Sequence, residues 1–127
     1  MLRNFLRCKI HGATVTEANV DYVGSLAIDE EIMRLAGIEE NEVVQVANLT
    51  NGERLTTYAI RAPAGSRAFG ANGAAAHKIR RGDRIIVFAF AMYAEDEIEA
   101  HKPNLVFVDE ANNPVAGPAR ETFAETY

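Results

Sequence analysis

One short pattern occurs twice in the chain and limits the folds that the chain can adopt. Residues 38–46 read Ile-Glu-Glu-Asn-Glu-Val-Val-Gln-Val, and residues 79–87, at an offset of 41 residues, read Ile-Arg-Arg-Gly-Asp-Arg-Ile-Ile-Val. Each copy follows a short helical stretch and leads into a β-rich segment. Two such halves predict a small barrel with pseudo-twofold symmetry, although helix–turn–strand units also resemble one another without a common repeat.

Short strands between glycine and asparagine turns account for most of the remaining pattern. Residues 6–11 alternate, so that Lys9 and His11 share one face while Cys8 lies on the other. Asn51-Gly52 is a strong hairpin signal. Further strands are predicted at 15–23 (weakly), 42–49, 55–60, 84–91 and 105–108, and the apolar segment 84–91 is expected to be buried on both faces.

Helical segments and a polar tail complete the prediction. Asp29 is a good N-cap and Gly37 a good C-cap, which predicts a helix over 29–36. Asn72 is predicted to cap one helical turn, and the acidic residues 94–100 favour another. From Asp109 the chain is polar and interrupted by proline and glycine, which is typical of a loose tail. The pattern predicts a mainly β domain over residues 1–108 with a tail over 109–127.

Composition excludes several classes of protein. The 127 residues suffice for one domain, and 13 Lys+Arg against 18 Asp+Glu leave a net charge of -5, which does not favour nucleic-acid binding. The single cysteine excludes an internal disulfide, fits a reducing compartment and leaves no Cys cluster for zinc, and the three histidines lack metal-ligand spacing. The N-terminus lacks a signal-peptide core, and the longest apolar run, 85–94, is too short to span a bilayer. We therefore expect a cytoplasmic protein with no metal, membrane or nucleic-acid partner.

Several short motifs follow one another in a specific order. They are Lys9 and His11, Tyr22 to Ser25, Ala27-Ile28-Asp29, Asn51-Gly52 with Arg54, Thr57-Tyr58-Ala59-Ile60, Gly65-Ser66-Arg67 and Asn72-Gly73-Ala74-Ala75-Ala76-His77. In this order and spacing, residues 1 to 108 resemble the pyruvoyl-dependent aspartate 1-decarboxylases. Ala47 departs from the pattern, since some relatives carry a large aromatic residue near this point. The resemblance implies a six-stranded double-psi β-barrel with short helices, assembled as a homotetramer with active sites between subunits.

The resemblance also implies a cofactor that the chain makes from itself. The Ser25 hydroxyl would attack the carbonyl of Gly24, and an N→O acyl shift followed by β-elimination would leave dehydroalanine at position 25. Hydrolysis with loss of ammonia would then give a pyruvoyl group. The products would be a β chain of residues 1–24 and an α chain of residues 25–127. Glycine at 24 exposes its carbonyl, Thr57 would donate to the oxyanion, and Asn72 would hold the segment. Taken alone, without the other motifs, Gly24-Ser25 is more typical of an ordinary tight turn.

The implied reaction is the decarboxylation of L-aspartate to β-alanine and CO2 by a carboxy-lyase that serves pantothenate and coenzyme A synthesis. The pyruvoyl group forms a Schiff base with the substrate amine and accepts the electrons that CO2 leaves behind. Arg54 or Lys9 would clamp the retained carboxylate, with His11 beside Lys9. Alternatively, Lys9 is a solvated strand charge and Arg54 a charge flanking a hairpin.

The remaining site residues also follow from the resemblance. Tyr58 is the candidate proton donor, and it shares a strand face with Arg54 while Thr57 faces the other side; an ordinary β-packing role is the alternative for Tyr58. Substrate contacts are implied at Gly73, Ala74 and Ala75. Tyr22 would support the cleavage loop. His77 and His101 are expected to be structural or solvated rather than catalytic, and Cys8 is expected to lie in the core. The rival interpretation of the whole chain is a non-enzymatic oligomeric small barrel that binds an acidic metabolite or partner.

Overall fold

The computed structural model of the protein describes residues 1–23 and 25–123 and shows a mainly β fold. The strands are β1 (Leu2–Thr14), β2 (Glu17–Asn19), β3 (Leu26–Asp29), β4 (Val43–Asn48), β5 (Arg54–Ala62), β6 (Phe69–Asn72), β7 (Arg84–Ala94), β8 (Asn104–Val108) and β9 (Pro114–Val115). The helices are α1 (Glu30–Ala36), α2 (Glu95–Ile98) and a 3₁₀ helix, Gly73–His77. No helix within the described ranges has the length and apolar character that crossing a membrane requires.

The strands form one curled, barrel-like sheet in the order β2-β6-β3-β5-β4-β7-β1-β8-β9. β1 is the longest strand; it pairs antiparallel with β7 and parallel with β8. Directly after β1, the Thr16 amide donates to the Phe69 carbonyl on β6 at 2.9 Å. This hydrogen bond joins the chain at the end of β1 to β6, a strand in another part of the sheet. The enclosed side is filled by apolar side chains such as Ile10, Leu26 and Val87, all fully buried.

The internal repeat predicted from the sequence is visible in the pairing of its two units. β3–α1–β4 corresponds to β6–3₁₀ helix–β7, and β3 pairs antiparallel with β6 as β4 does with β7. The turns before β4 and β7 also match. Asn41 and Gly82 both have positive φ, 72° and 91°, and their amides donate at 2.8 Å to the carbonyls of Ala59 and Val15 respectively. Antiparallel pairing of like elements is expected of two halves related by a twofold axis.

Elements specified by nearby residues agree with the sequence predictions. The Asp29 side chain accepts from the Glu31 amide at 2.8 Å at the start of α1, and Gly37 ends the helix at φ 79°. β4 and β5 form the hairpin predicted at Asn51-Gly52. Short helices also occur in both other predicted regions, after Asn72 and within 94–100. The prediction that Asn72 caps its helical turn is wrong, because its side chain makes no capping hydrogen bond there.

Two strand predictions differ from the structure, one in the length of the strand and one in its burial. Only Glu17–Asn19 of the segment 15–23 forms a strand. β7 is not buried on both faces: Ile85 and Val87 are buried, whereas Phe90 and Met92 on the opposite face are 37% and 56% exposed. The described chain covers only the inner face of this sheet, so the apolar outer face of β7 remains at the surface.

The prediction of a loose tail after Asp109 is wrong for the residues that lead into β9. β9 pairs antiparallel with β8. The side chain of Asn112 is buried; it accepts from the Thr14 amide at 2.7 Å and donates to the carbonyls of Thr14 and Arg67, each at 2.9 Å. These hydrogen bonds fix the chain against β1 and against the loop before β6.

Candidate active site

The Ser25 backbone is held where β3, β5 and β6 lie side by side. Leu26, the next residue, pairs with Ala59 on β5 and with Ala71 on β6. The Ser25 carbonyl accepts a 2.8 Å hydrogen bond from the backbone N–H of Asn72. Ser25 and Asn72, two residues selected from the sequence, are therefore in contact. Gly24, the predicted cleavage partner of Ser25, lies outside the described residues.

Asn72 is buried, and its side-chain oxygen has an unusual environment. Among the described residues, the Oδ1 atom has no hydrogen-bond partner. A buried amide oxygen left in this state costs about 1–3 kcal/mol, and such atoms often mark functional sites. Gly73 follows at φ 63° and opens the 3₁₀ helix, in which Ala74 is exposed and Ala75 is buried. The buried acceptor is therefore followed by two residues with little side-chain volume, Gly73 and Ala74.

Thr57 and Tyr58 point to opposite sides of β5, as predicted. Thr57 pairs with Val44, which is buried, so Thr57 lies on the inner face. Tyr58 pairs with Val43 and is 38% exposed on the outer face. Because Ala59 is the partner of Leu26, both side chains lie near the end of β3 that carries Ser25.

The predicted carboxylate-binding cations share the outer face of the sheet but lie on different strands. Successive register pairs run from Arg54 on β5 to Ala47 on β4, to Ile86 on β7 and to His11 on β1. With adjacent strands about 4.8 Å apart, the backbones of β5 and β1 are roughly 14 Å apart. Arg54 and Lys9 therefore approach one another only through their long side chains.

Lys9 is not a solvated charge. Its side chain is 7% exposed and forms an ion pair with the carboxylate of Glu121, which lies beyond β9. The ammonium group thus pairs with a carboxylate of the same chain, whereas the sequence prediction assigned it to a carboxylate of the substrate.

His11 lies beside Lys9 at the edge of a cleft of about 610 Å³ that Arg84 and Phe107 also line. Burial lowers the pKa of His11, the Lys9 ammonium lowers it further, Glu121 acts in the opposite direction, and Arg84 adds to the lowering. Because its pKa is lowered, the imidazole is neutral at neutral pH. Its ring centroid lies 5.7 Å from that of Phe107.

The Arg54 guanidinium lies over an aromatic ring that the sequence prediction did not include. Its Cζ atom is 5.6 Å from the ring centroid of Phe88 on β7. Phe88 in turn pairs with Lys9 on β1 and with Gln45 on β4. Phe88 thus lies between the strands that carry the two cations.

The sequence of the chain matches a known protein family over most of its length. The model of the family described as aspartate decarboxylase matches residues 1–115. The chain belongs to the aspartate decarboxylase family. The match extends past residue 108, where the resemblance noted in the sequence ended, and includes the strand β9.

Individual members of the aspartate decarboxylase family are similar over nearly the whole chain. The aspartate 1-decarboxylase of Caldicellulosiruptor bescii is 50% identical over 125 residues, which cover 98% of each chain. That of Maricaulis maris is 51% identical over 118 residues, 93% of this chain and 98% of the relative. That of Alkalilimnicola ehrlichii is 52% identical over 112 residues, 88% of this chain and 89% of the relative.

Two residues next to the predicted site of this family member were missed by sequence reasoning. Phe88 is two residues after Ile86 on β7, so the sequence indicates that both side chains point to the same face of the sheet. The position of Phe88 opposite Lys9 depends on sheet register, which the sequence does not indicate. Glu121 follows no periodic pattern, and no local signal indicates its contact with Lys9.

The remaining predicted residues have the following environments. The Nε2 atom of His101 lies 2.8 Å from the Leu6 carbonyl, and its ring packs 4.2 Å from that of Tyr93, so the predicted structural role is confirmed. Cys8 is fully buried, and burial raises the pKa of its thiol. Tyr22 and His77 are exposed.

Proposed function

We propose that this chain cleaves itself between Gly24 and Ser25 and then decarboxylates L-aspartate to β-alanine and CO2. The observation that carries the proposal is the contact between Asn72 and Ser25. The backbone N–H of Asn72 donates to the Ser25 carbonyl at 2.8 Å, and the buried side-chain oxygen of Asn72, Oδ1, has no hydrogen-bond partner in the described part of the chain. A turn with no chemical role gains nothing from an unsatisfied buried acceptor. Membership of the aspartate decarboxylase family supports the same chemistry.

The cleavage step needs a nucleophile, an exposed carbonyl and a donor for the oxyanion. The Ser25 hydroxyl attacks the carbonyl carbon of Gly24, and its proton passes to the departing nitrogen as the amide becomes an ester. Thr57, on the inner face of β5, is our candidate for the donor. Elimination then releases Gly24 as a carboxylate, and water replaces nitrogen at position 25, so that ammonia leaves.

The residues around Ser25 fit a small pyruvoyl group. The backbone N–H of Asn72 bonds to the Ser25 carbonyl, the Asn72 Oδ1 has no partner among the described residues, and Gly73 and Ala74 add little side-chain volume after it. When formed, the group supplies an electrophilic carbonyl that binds the substrate amine and accepts the electrons released with CO2. We assign the backbone of residues 73–75 to substrate contact.

We assign the outer-face cations to the substrate carboxylate that is retained. Arg54 offers a planar fork that matches a carboxylate, whereas Lys9 offers a point charge. Lys9 already pairs with the carboxylate of Glu121. The neutral His11 beside it adds a hydrogen-bonding group without a further positive charge. Tyr58 would deliver a proton from its hydroxyl to the substrate α-carbon.

We further propose that the protein works as a homotetramer with the site between subunits. The outer face that carries Lys9, Arg54 and Tyr58 also exposes Val43 (63%), Met92 (56%) and Phe90 (37%). A neighbouring subunit on this face would bury these side chains and exclude water from the cations.

The finer description of the fold is part of the same proposal. The matched turns at Asn41 and Gly82, together with the parallel pairs β1–β8 and β3–β5, support a double-psi barrel built from six of the strands. We retain residues 1–108 as the barrel domain and 109–127 as a C-terminal segment. We place the enzyme in the cytoplasm, where β-alanine would serve pantothenate synthesis.

Replacement of Ser25 tests the proposal. We expect wild-type protein to release CO2 and β-alanine from L-aspartate and Ser25→Ala to release neither, because alanine has no hydroxyl to attack or to become a pyruvoyl group. Ser66→Ala, in the loop before β6, is the matched control and should retain activity. A Ser25→Ala protein with wild-type activity would exclude the mechanism.

A further inference from the structure

We infer that Phe88 is a positioning residue for Arg54. Phe88 lies on the strand next to that of Lys9, and its ring holds the Arg54 guanidinium there, so that both cations face one small dicarboxylate substrate. The inference rests on the proposed role of Arg54 as a carboxylate clamp. It concerns a residue that neither touches the reacting atoms nor belongs to the motifs singled out in the sequence.

The route of the Arg54 side chain carries the inference. Arg54 is on β5 and Phe88 on β7, and β4 lies between them, yet the Cζ atom of Arg54 is 5.6 Å from the Phe88 ring centroid. The side chain therefore reaches across β4. Ala47 is the residue of β4 directly opposite Arg54, and its methyl group leaves this path open. Arg54, Ala47 and Phe88 thus form one arrangement in which a small residue lets a long side chain reach an aromatic face.

This arrangement changes the distance between the two cations. With β5 and β1 roughly 14 Å apart at the backbone, an Arg54 side chain extended into solvent would leave Lys9 far from its guanidinium. Phe88 is the register partner of Lys9 on the neighbouring strand. A guanidinium over the Phe88 ring is therefore brought toward the Lys9 side of the sheet.

The ring also orders the side chain before substrate arrives. A guanidinium lying on an aromatic face is attracted by the ring quadrupole, and its N–H groups stay available at the edge. An arginine that is already ordered loses less entropy on binding. The Phe88 ring is itself supported by Phe90, with centroids 6.1 Å apart and an interplanar angle of 23°.

A double-mutant cycle separates this positioning role from simple packing. The variants are Phe88→Leu, Phe88→Tyr, Arg54→Ala and the double variant Arg54→Ala/Phe88→Leu, with Leu35→Met at an exposed position of α1 as the control. For each we would measure the Kd of succinate by calorimetry, together with KM and kcat for L-aspartate and the extent of self-cleavage. Succinate carries both carboxylates and no amine, so its binding reports on the cations separately from chemistry.

We expect Phe88→Leu to raise the succinate Kd and the aspartate KM about 2- to 5-fold, which corresponds to a contact of ~0.5–1 kcal/mol. The kcat and the self-cleavage should stay at the wild-type level, and Phe88→Tyr and Leu35→Met should bind as the wild type does. In the Arg54→Ala background, Phe88→Leu should have no further effect on Kd.

Three results would overturn the inference. Wild-type Kd and KM in Phe88→Leu would show that the ring does not act on Arg54. An equal loss in the Arg54→Ala background would show that Phe88 acts by packing alone, and would leave the clamp role of Arg54 intact. Unchanged succinate binding in Arg54→Ala would overturn the clamp and the positioning role together, while the self-cleavage of the same protein would still test the proposed function separately.

Discussion

Asp29 has no exposed surface, and it links the start of α1 to the loop that precedes β6. Its Oδ1 atom accepts from the amides of Glu31 at 2.8 Å and Gly65 at 2.9 Å, and its Oδ2 atom accepts from the amide of Arg67 at 2.7 Å. Burial alone would raise the pKa of Asp29, but these three N–H donors and the Arg67 guanidinium outweigh it, and the pKa is lowered. The carboxylate is therefore ionised in the folded protein and stabilises this corner four residues after Ser25.

The lowered pKa of Asp29 predicts a pH-dependent contribution to stability. The contribution is fully present above the pKa of an unfolded aspartate, about 4, and is lost as the pH falls through the lower pKa of the folded state. We expect Asp29→Asn to lower the free energy of unfolding by about 2 kcal/mol at neutral pH and by progressively less below pH ~4. Urea unfolding at a series of pH values measures this, with the exposed Asp96→Asn as control. An equal deficit at pH 7 and pH 3 would contradict the electrostatic explanation.

Tyr58 is tested by removing only its hydroxyl. We expect Tyr58→Phe to cleave itself normally but to turn over aspartate about 100-fold more slowly, because a positioned proton donor contributes at least that factor. Tyr93→Phe is the matched control, since Tyr93 packs against Phe5 and His101 rather than at the site. Wild-type kcat in Tyr58→Phe would remove the hydroxyl from the mechanism.

At the scale of elements, local chemistry determined what could be predicted. α1 and the β4–β5 hairpin depend on Asp29, Gly37 and Gly52, which act within a few residues, and both elements form where expected. The order of the segment after Asp109 depends instead on Asn112 bonding to Thr14, 98 residues away. No local pattern reports such a contact, so the sequence predicted a loose tail.

The residues of the candidate site differ in the same way: some could be predicted from local motifs and others could not. Ser25, Asn72 and Tyr58 belong to motifs whose order indicates the family, and the structure brings the backbones of Ser25 and Asn72 into contact. Phe88 and Glu121 reach the cations only through sheet register and the path of the chain beyond β9. Their roles required the three-dimensional arrangement.

If Lys9 binds a substrate carboxylate as proposed, the C-terminal segment competes with substrate for it, which gives a prediction at this scale. The Glu121 carboxylate, 36% exposed, pairs with the ammonium group that we assign to a substrate carboxylate. We expect Glu121→Gln to lower the KM for aspartate about 2- to 5-fold without changing kcat, since a partly buried ion pair is worth on the order of 1 kcal/mol. Steady-state kinetics measures this. Glu110→Gln, whose partner Arg84 is 3.9 Å away at an exposed site, is the control. A raised KM in Glu121→Gln would show that Glu121 assists binding.

The whole molecule presents one sheet face that is more apolar than a solvent-exposed surface requires. Val43, Phe90 and Met92 are exposed there beside the candidate site. If this face is covered by a second subunit, Val43→Lys should shift the protein to smaller assemblies and reduce activity, because a buried unpaired charge is strongly unfavourable. Light scattering after gel filtration measures the assembly, with Glu99→Lys on the exposed end of α2 as control. A Val43→Lys protein with the assembly of the wild type would show that the interface lies elsewhere.

The same fold must carry out two tasks in sequence at position 25: cleaving the chain, and then presenting aspartate. In the proposed mechanism, the contact between the Ser25 carbonyl and the backbone N–H of Asn72 serves the first task, and the position of Tyr58 on the adjacent strand β5 serves the second. The central claim is therefore the chemical change at Ser25, on which every later step depends.

Intact-mass measurement of the purified wild-type protein tests that claim most directly. The account predicts two fragments, residues 1–24 and residues 25–127, with the larger one lighter by one ammonia than a chain that begins with a free serine and resistant to N-terminal sequencing. A single mass equal to that of all 127 residues after prolonged incubation, with no CO2 released from aspartate, would contradict it.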